Sequence, residues 1–150
     1  MLRPRNPILT HTEQGRGAME QLRMLEGLGV DLTKVVISHT DRNPDRGYHR
    51  EALATGAMLE YDSAFRWGAG KRNPTLELIL NAAEDGLLGG IVLGMDAARS
   101  SYWSGYGGAP GLDFLLTRFT DELRAGGFDD GHLRQVFVEN PARCYTFRLV

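Results

Sequence analysis

At 150 residues, 42% hydrophobic and 24% charged, the chain is one ordinary soluble domain, residues 1–150, long enough to bury a real core. A net charge of −2, with basic residues scattered along the chain, leaves no electrostatic footprint for nucleic acid or an anionic membrane surface. One cysteine, Cys144, excludes an internal disulfide and makes the cytoplasm the expected compartment.

The opening Met1-Leu2-Arg3-Pro4-Arg5-Asn6-Pro7 has no apolar core of a signal peptide, and no window approaches the ~18 apolar residues of a membrane span. Almost nothing precedes the first apolar run, Pro7-Ile8-Leu9-Thr10-His11, as though the chain began in the middle of something. A helical segment follows to about Leu28, with Ala18, Leu22 and Leu25 on its apolar side and Gly27 and Gly29 to close it. Val35-Val36-Ile37-Ser38 is the next strand. Its unbroken aliphatic run is that of a strand buried on both faces, as in parallel sheets covered by helices.

Asp45 to Thr55 reads as a short helix and Ala57 to Tyr61 as the third strand, which leads into an aromatic, basic loop with Phe65, Arg66, Trp67, Lys71 and Arg72. Asn73-Pro74 starts a helix, asparagine as N-cap and proline at the first helical position, with Leu76, Ile79, Leu80 and Ala83 as its core stripe. Ile91 to Met95 is the fourth strand, and a long Gly-, Ser- and aromatic-rich loop runs from Ala97 to Gly111. Leu112, Leu115, Leu116, Phe119 and Leu123 then stripe a helix that Gly126-Gly127 ends. A last helix spans about Asp130 to Val138 and runs into Asn140-Pro141-Ala142-Arg143.

The order β-α-β-α-β-α-β-α with a terminal helix predicts a parallel sheet with right-handed crossovers. Four such units are half of an eight-stranded (β/α)8 TIM barrel or a small open sheet; no glycine-rich dinucleotide fingerprint follows the first strand. Chemistry in such folds collects at the carboxyl ends of the strands. Three runs here end in His11, His39 and Asp96, with His11 and His39 one strand-loop-helix-loop unit apart. One histidine at a strand end is usually a hydrogen-bonded loop residue, and one aspartate there usually a helix cap or turn starter. Two imidazoles and a carboxylate on a shared rim instead suit a divalent metal, with Asp96 as proton acceptor. Arg66, Trp67, Arg99, Tyr102, Trp103 and Tyr106 would surround such a centre, as a substrate-binding rim or as a packing surface. His49 and His132 read as surface residues, and Glu13 and Asp41 as solvated loop acids.

Four motifs carry a resemblance: Ile8-Leu9-Thr10-His11-Thr12-Glu13, Val36-Ile37-Ser38-His39-Thr40-Asp41, Val92-Leu93-Gly94-Met95-Asp96 and Val138-Glu139-Asn140-Pro141-Ala142-Arg143. In this order the chain resembles the carboxyl-terminal half of the phosphotriesterase family, in the amidohydrolase superfamily. The resemblance implies strands five to eight of a (β/α)8 barrel, plus a C-terminal helix, and two divalent metals per complete barrel, usually zinc, bridged by a hydroxide. It implies that His11 and His39 bind the second metal, and that Asp96 binds the first and moves the proton. The substrates it implies are small esters, lactones or phosphoesters, as in phosphotriesterases and lactonases. The family's first-strand His-x-His pair and its fourth-strand bridging lysine or glutamate have no counterpart here. The only lysines, Lys34 and Lys71, precede the second strand and follow the third.

Two expectations follow. In the first the chain is the second half of a metal-dependent hydrolase, a fragment or one chain of a split enzyme that needs an N-terminal half-barrel. In the second it is a non-catalytic half-barrel that self-associates or binds a partner and keeps relic metal ligands.

Overall fold

The computed structural model describes residues 6–68 and 71–146; the opening stretch Met1 to Arg5 lies outside the described residues. Strands β1 (Ile8–Thr10), β2 (Val35–Ile37), β3 (Met58–Tyr61) and β4 (Ile91–Leu93) pair in parallel, in the order β1-β2-β3-β4. Helices α1 (Ala18–Gly27), α2 (Arg46–Ala54) and α3 (Pro74–Glu84) make the three crossovers. Each strand pairs with the next in sequence, so the sheet has no switch point of the doubly wound kind. This is the topology of half a barrel. Among the described residues no helix is long and apolar enough to cross a membrane.

The reason for the unbroken aliphatic runs is visible in the two faces of the sheet. Val35, Ile37, Leu59, Tyr61 and Ile91 point to the helix side and share a core with Leu22, Ala52, Ile79, Phe119 and Leu123. Val36, Met58 and Val92 occupy the opposite side, where Cys144 packs with them. Burying each such side chain is worth about 1.5–3 kcal/mol, which explains why β2 and β4 are aliphatic throughout, whereas β3 carries Glu60 and the outer strand β1 leaves Leu9 exposed.

Asn73 caps α3 as expected: its Oδ1 accepts from the Leu76 N–H at 3.2 Å, and Pro74 opens the helix. The buried stripe is Thr75, Leu78, Ile79 and Ala82, while Leu76, Leu80 and Ala83 are partly buried. The helix is apolar on more than one side, so periodicity alone does not choose the innermost face. A second expectation is corrected after β4. No helix starts at Leu112: Leu112 and Leu116 are 62% and 68% exposed, Phe114–Leu116 forms a single 3-10 turn, and helix α4 spans Arg118–Ala125. The backbone breaks at Thr117 (φ −117°, ψ −97°), so Phe114, Phe119 and Leu123 turn inward and the exposed leucines do not.

The expected last helix is three pieces, α5 (Asp130–Arg134), a π-helical stretch Gln135–Glu139 and α6 (Asn140–Tyr145). Val136 and Asn140 thereby both face inward. The buried Asn140 Nδ2 donates to the carbonyls of Leu88 and Ile91 at 2.9 and 2.6 Å, which pins α6 to the start of β4.

His49 is not a surface residue. It is 3% exposed on the inner side of α2, with Nε2 2.6 Å from the Asn43 carbonyl and Nδ1 2.8 Å from the Tyr61 hydroxyl. A carbonyl only accepts, so Nε2 carries the proton and Nδ1 accepts from Tyr61. Burial lowers the His49 pKa below its ordinary 6.5, outweighing the Asn43 hydrogen bond and the charges of Asp41 and Asp45. The unfolded chain then binds the extra proton. The contribution is complete above about pH 6.5 and is lost as the pH falls towards the folded-state value. His49→Gln should cost about 1–3 kcal/mol at neutral pH. Urea unfolding at pH 7.5 and 5.5 should show the wild type losing more stability on acidification than this variant.

Candidate metal-centre rim

The parallel ladder delivers all four strand ends to one side, and short contacts then lock their loops together. The Ser38 N–H donates to the Thr10 carbonyl at 3.0 Å and the Thr12 hydroxyl to the Ser38 carbonyl at 2.6 Å. Gly15 (φ +69°) lies so close to the next loop that a Cβ there would fall 2.7 Å from the Asn43 nitrogen and 2.8 Å from the Thr40 carbonyl. The His11 and His39 segments are therefore held in contact. Their imidazoles lie edge to face, with centroids 4.7 Å apart.

His39 is the better fixed of the two. Its backbone is left-handed (φ 63°), a conformation that costs a non-glycine residue energy and clusters at functional sites. Its Nδ1 lies 2.5 Å from Oδ2 of Asp62, the residue next after β3. A carboxylate at ion-pair distance from Nδ1 is the kind of partner that orients histidines toward metals, although the two are not aligned as a hydrogen bond here. Burial, with the nearby Asp41 charge, pushes the Asp62 carboxyl up to about 6, against the pull of His39. His11 is largely exposed; its ring is 3.7 Å from Glu13 and its carbonyl accepts from Gln21 at 2.8 Å.

Asp96 also has left-handed backbone (φ 44°), but its carboxylate is engaged elsewhere. Oδ2 accepts from Arg66 Nη2 at 2.8 Å and Arg42 Nη2 at 3.2 Å. The structure brings His11 and His39 together and sets Asp96 on two guanidiniums. Among the described residues no three His, Cys, Asp or Glu side chains are grouped to hold a metal. The fit to a divalent ion thus rests on two imidazoles, one beside a buried carboxylate, with Asp96 free to contribute only on leaving the arginines.

The other expected rim residues divide. Arg66 Nη1 donates to the Tyr102 hydroxyl at 3.1 Å, and its guanidinium lies over the Phe65 and Tyr102 rings at 4.7 and 5.5 Å. Trp67 turns away from the mouth, its indole N–H donating to Thr75 at 3.0 Å. Trp103 donates to the Ala97 carbonyl at 2.9 Å and packs on Tyr106. Arg99 is exposed, without a side-chain partner among the described residues.

Asp41 corrects another expectation: it is not a solvated acid but fully buried. Its Oδ2 accepts from the Ser63 N–H at 2.8 Å and from the Thr75 hydroxyl at 2.6 Å, joining the loops after β2 and β3 to the first turn of α3. Sequence reasoning missed Arg42 and Asp62 as well. Asp62 carried a usable signal, since it ends a strand just as His39 and Asp96 do. Arg42 carried none; only the fold brings it to Asp96 and, at 3.3 Å, to the Ser63 hydroxyl. A further acid, Glu60, accepts from the Ser38 hydroxyl at 2.5 Å and fills the space over Gly94, where a Cβ would lie 2.4 Å from its Oε1.

The chain matches the phosphotriesterase family over residues 3–145. It is 30% identical over 139 residues to the phosphotriesterase homology protein of Escherichia coli strain K12, covering 93% of this chain and 47% of that protein. It is 33% identical over 147 residues to the phospho-furanose lactonase of Mycoplasmopsis synoviae strain 53, covering 94% and 42%. The crystal structure of the lactonase Lmo2620 from Listeria monocytogenes superposes with a TM-score of 0.87 at 34% identity, over 97% of this chain and 46% of that one. The chain spans about half the length of the relatives it matches.

Because Asp41 joins three elements, Asp41→Ala should lower stability by about 2–4 kcal/mol, since it strands a buried N–H and a buried hydroxyl. Thermal unfolding followed by circular dichroism checks this. A change within about 0.5 kcal/mol of the wild type, the range of an ordinary surface substitution, would mean that Asp41 is not the tie described.

Proposed function

Since the chain belongs to the phosphotriesterase family, we propose that it supplies half of a metal-dependent hydrolase site of the lactonase or phosphotriesterase type. The whole chain acts as one partial-barrel domain that works with an N-terminal half. The observation that supports this best is the His11–His39 pair, with His39 on strained backbone and beside Asp62. His11 and His39 would hold a divalent ion, zinc by family preference, and Asp96 would join or serve its companion. Such an ion, when bound, polarises an ester or phosphoryl oxygen and acidifies water.

The chain's own residues supply the rest. Asp96, once its Oδ2 leaves Arg42 and Arg66, accepts the proton released from the attacking water and passes it to the leaving oxygen. Arg66 and the Tyr102 hydroxyl bind the substrate's oxyanion-bearing end, with Arg99 and Trp103 at the rim. Trp67 acts indirectly, through Thr75, by fixing the Arg66 loop. A lactone is favoured over a phosphotriester because two of the relatives above are lactonases by name. A cytoplasmic setting suits the single unpaired, buried Cys144.

The complementary half has a place to go. Outer strands β1 and β4 each pair on one side only, and Leu9 on β1, Met24 on α1 and Leu28 at the end of that helix are 56%, 69% and 75% exposed. Such edges and apolar side chains call for a partner. Mixing the chain with the N-terminal half of a related barrel, one carrying a His-x-His strand and bridging lysine, should give zinc-dependent lactone hydrolysis that Asp96→Asn abolishes. Zinc uptake without hydrolysis in that mixture would identify the chain as the non-catalytic, self-associating half-barrel. For the metal itself, His11→Ala with His39→Ala should abolish zinc uptake by calorimetry. Asp62→Ala should weaken it about 10- to 100-fold, and uptake unchanged in the double variant would remove the proposed centre.

A further inference from the structure

The inner face of the sheet, turned away from the crossover helices, is covered only in part. Val36, Met58 and Val92 are closed over by Cys144 on α6. Beside that cluster the cover stops: Leu9 on β1 is 56% exposed, and Glu60 on β3 is half-buried. The register fixes where these two stand. Leu9 pairs with Val36 and Val36 with Met58, so Glu60 lies two residues further along β3 than the position level with Leu9. A closed eight-stranded parallel barrel staggers by about one residue per strand, and its interior fills in layers of about four side chains taken from alternate strands. Leu9 and Glu60 therefore belong to one interior layer. His11 and Asp62, the next inward positions on the same two strands, stand above it.

Within the chain Glu60 meets hydroxyl and backbone but no cation. Its Oε2 accepts from the Ser38 hydroxyl at 2.5 Å, its Oε1 lies over Gly94, and among the described residues no lysine or arginine pairs with it. Burial raises the pKa values of Asp62, Cys144 and Tyr145, and the Glu60 charge adds to each shift. Closing the barrel shuts this layer away from water, where a carboxylate without a cationic partner is costly. A second copy, placed by a two-fold axis along the barrel, would complete the layer with its own Leu9 and Glu60. Two carboxylates would then face each other between leucines that offer neither of them a donor.

We infer that the inner face of this half-barrel docks a half-barrel that brings a lysine or arginine into the Glu60 layer, and that Glu60 turns a second copy of this chain away. A charge set against the wrong partner is a common way for an interface to choose the right one. The inference rests on the half-barrel part of the reading above and uses none of its metal chemistry.

Sedimentation velocity of the full chain in EDTA tests this with substitutions inside the layer. The wild type should remain largely monomeric. Glu60→Gln keeps an acceptor for Ser38 and removes the charge, and it should strengthen self-association about tenfold or more. Leu9→Lys brings the missing cation into the layer of a second copy and should strengthen association by a similar factor; Leu9 is exposed, so the isolated half stays folded. Combining the two substitutions should cancel the gain from lysine, which is then left without a carboxylate. Asp121→Asn, at an exposed acid on α4, should change nothing. Either single variant associating like the wild type, or effects of the two that simply add, would overturn the inference. Zinc uptake by the same preparations separates the two readings. Coupling between Glu60 and Leu9 without zinc uptake sinks the hydrolase and keeps the docking face, and zinc uptake without that coupling does the reverse.

Discussion

A buried carboxylate with two donors holds the rim of this half-barrel in shape. Asp41 accepts from the Ser63 N–H and the Thr75 hydroxyl, and each partner belongs to a different loop or helix. Three parallel strand ends would otherwise carry independent loops, because a ladder fixes the strands and leaves the segments beyond their ends free. Through Thr75 the tie reaches Trp67, and through the β3 loop it reaches Asp62 and hence His39. The left-handed backbone of His39 persists in such a setting because its neighbours leave it nowhere else to go.

Much of the architecture was legible in the chain. Aliphatic runs without alternation marked the buried parallel strands, and Asn73-Pro74 marked the start of α3, because both signals are local and chemically unambiguous. Strand-end position also brought His11 and His39 forward, and their rings do meet. The features that could not be read depend on distant partners. His49 and Asp41 look like surface residues until Tyr61, Ser63 and Thr75 are brought against them. Leu112 and Leu116 fit a helical stripe by spacing, yet the backbone break at Thr117 decides which apolar side chains turn inward. Arg42 had no sequence signal, since its meeting with Asp96 joins two strand ends that are not neighbours in the sheet.

The mouth is organised by opposite electrostatic regimes lying side by side. On the β2–β3 side, acids crowd a dry interior, and burial drives the Asp62 carboxyl up to about 6. On the β3–β4 side, two arginines share one carboxylate, and one of them, Arg66, lies over the Phe65 and Tyr102 rings. In this chain a single loop, the one after β3, separates them, with Asp62 at its start and Arg66 further along it.

On the far side of the sheet from the helices, Cys144 seals the small cluster of Val36, Met58 and Val92. Burial lifts its thiol to about 11, well above the pH of any cell, so the group is almost wholly protonated and slow toward electrophiles. Its chemistry is then switched on only when α6 lifts away and water enters. That makes the lone thiol a built-in clock: the pace at which a thiol-specific reagent labels the folded chain reports how often this side of the sheet comes open.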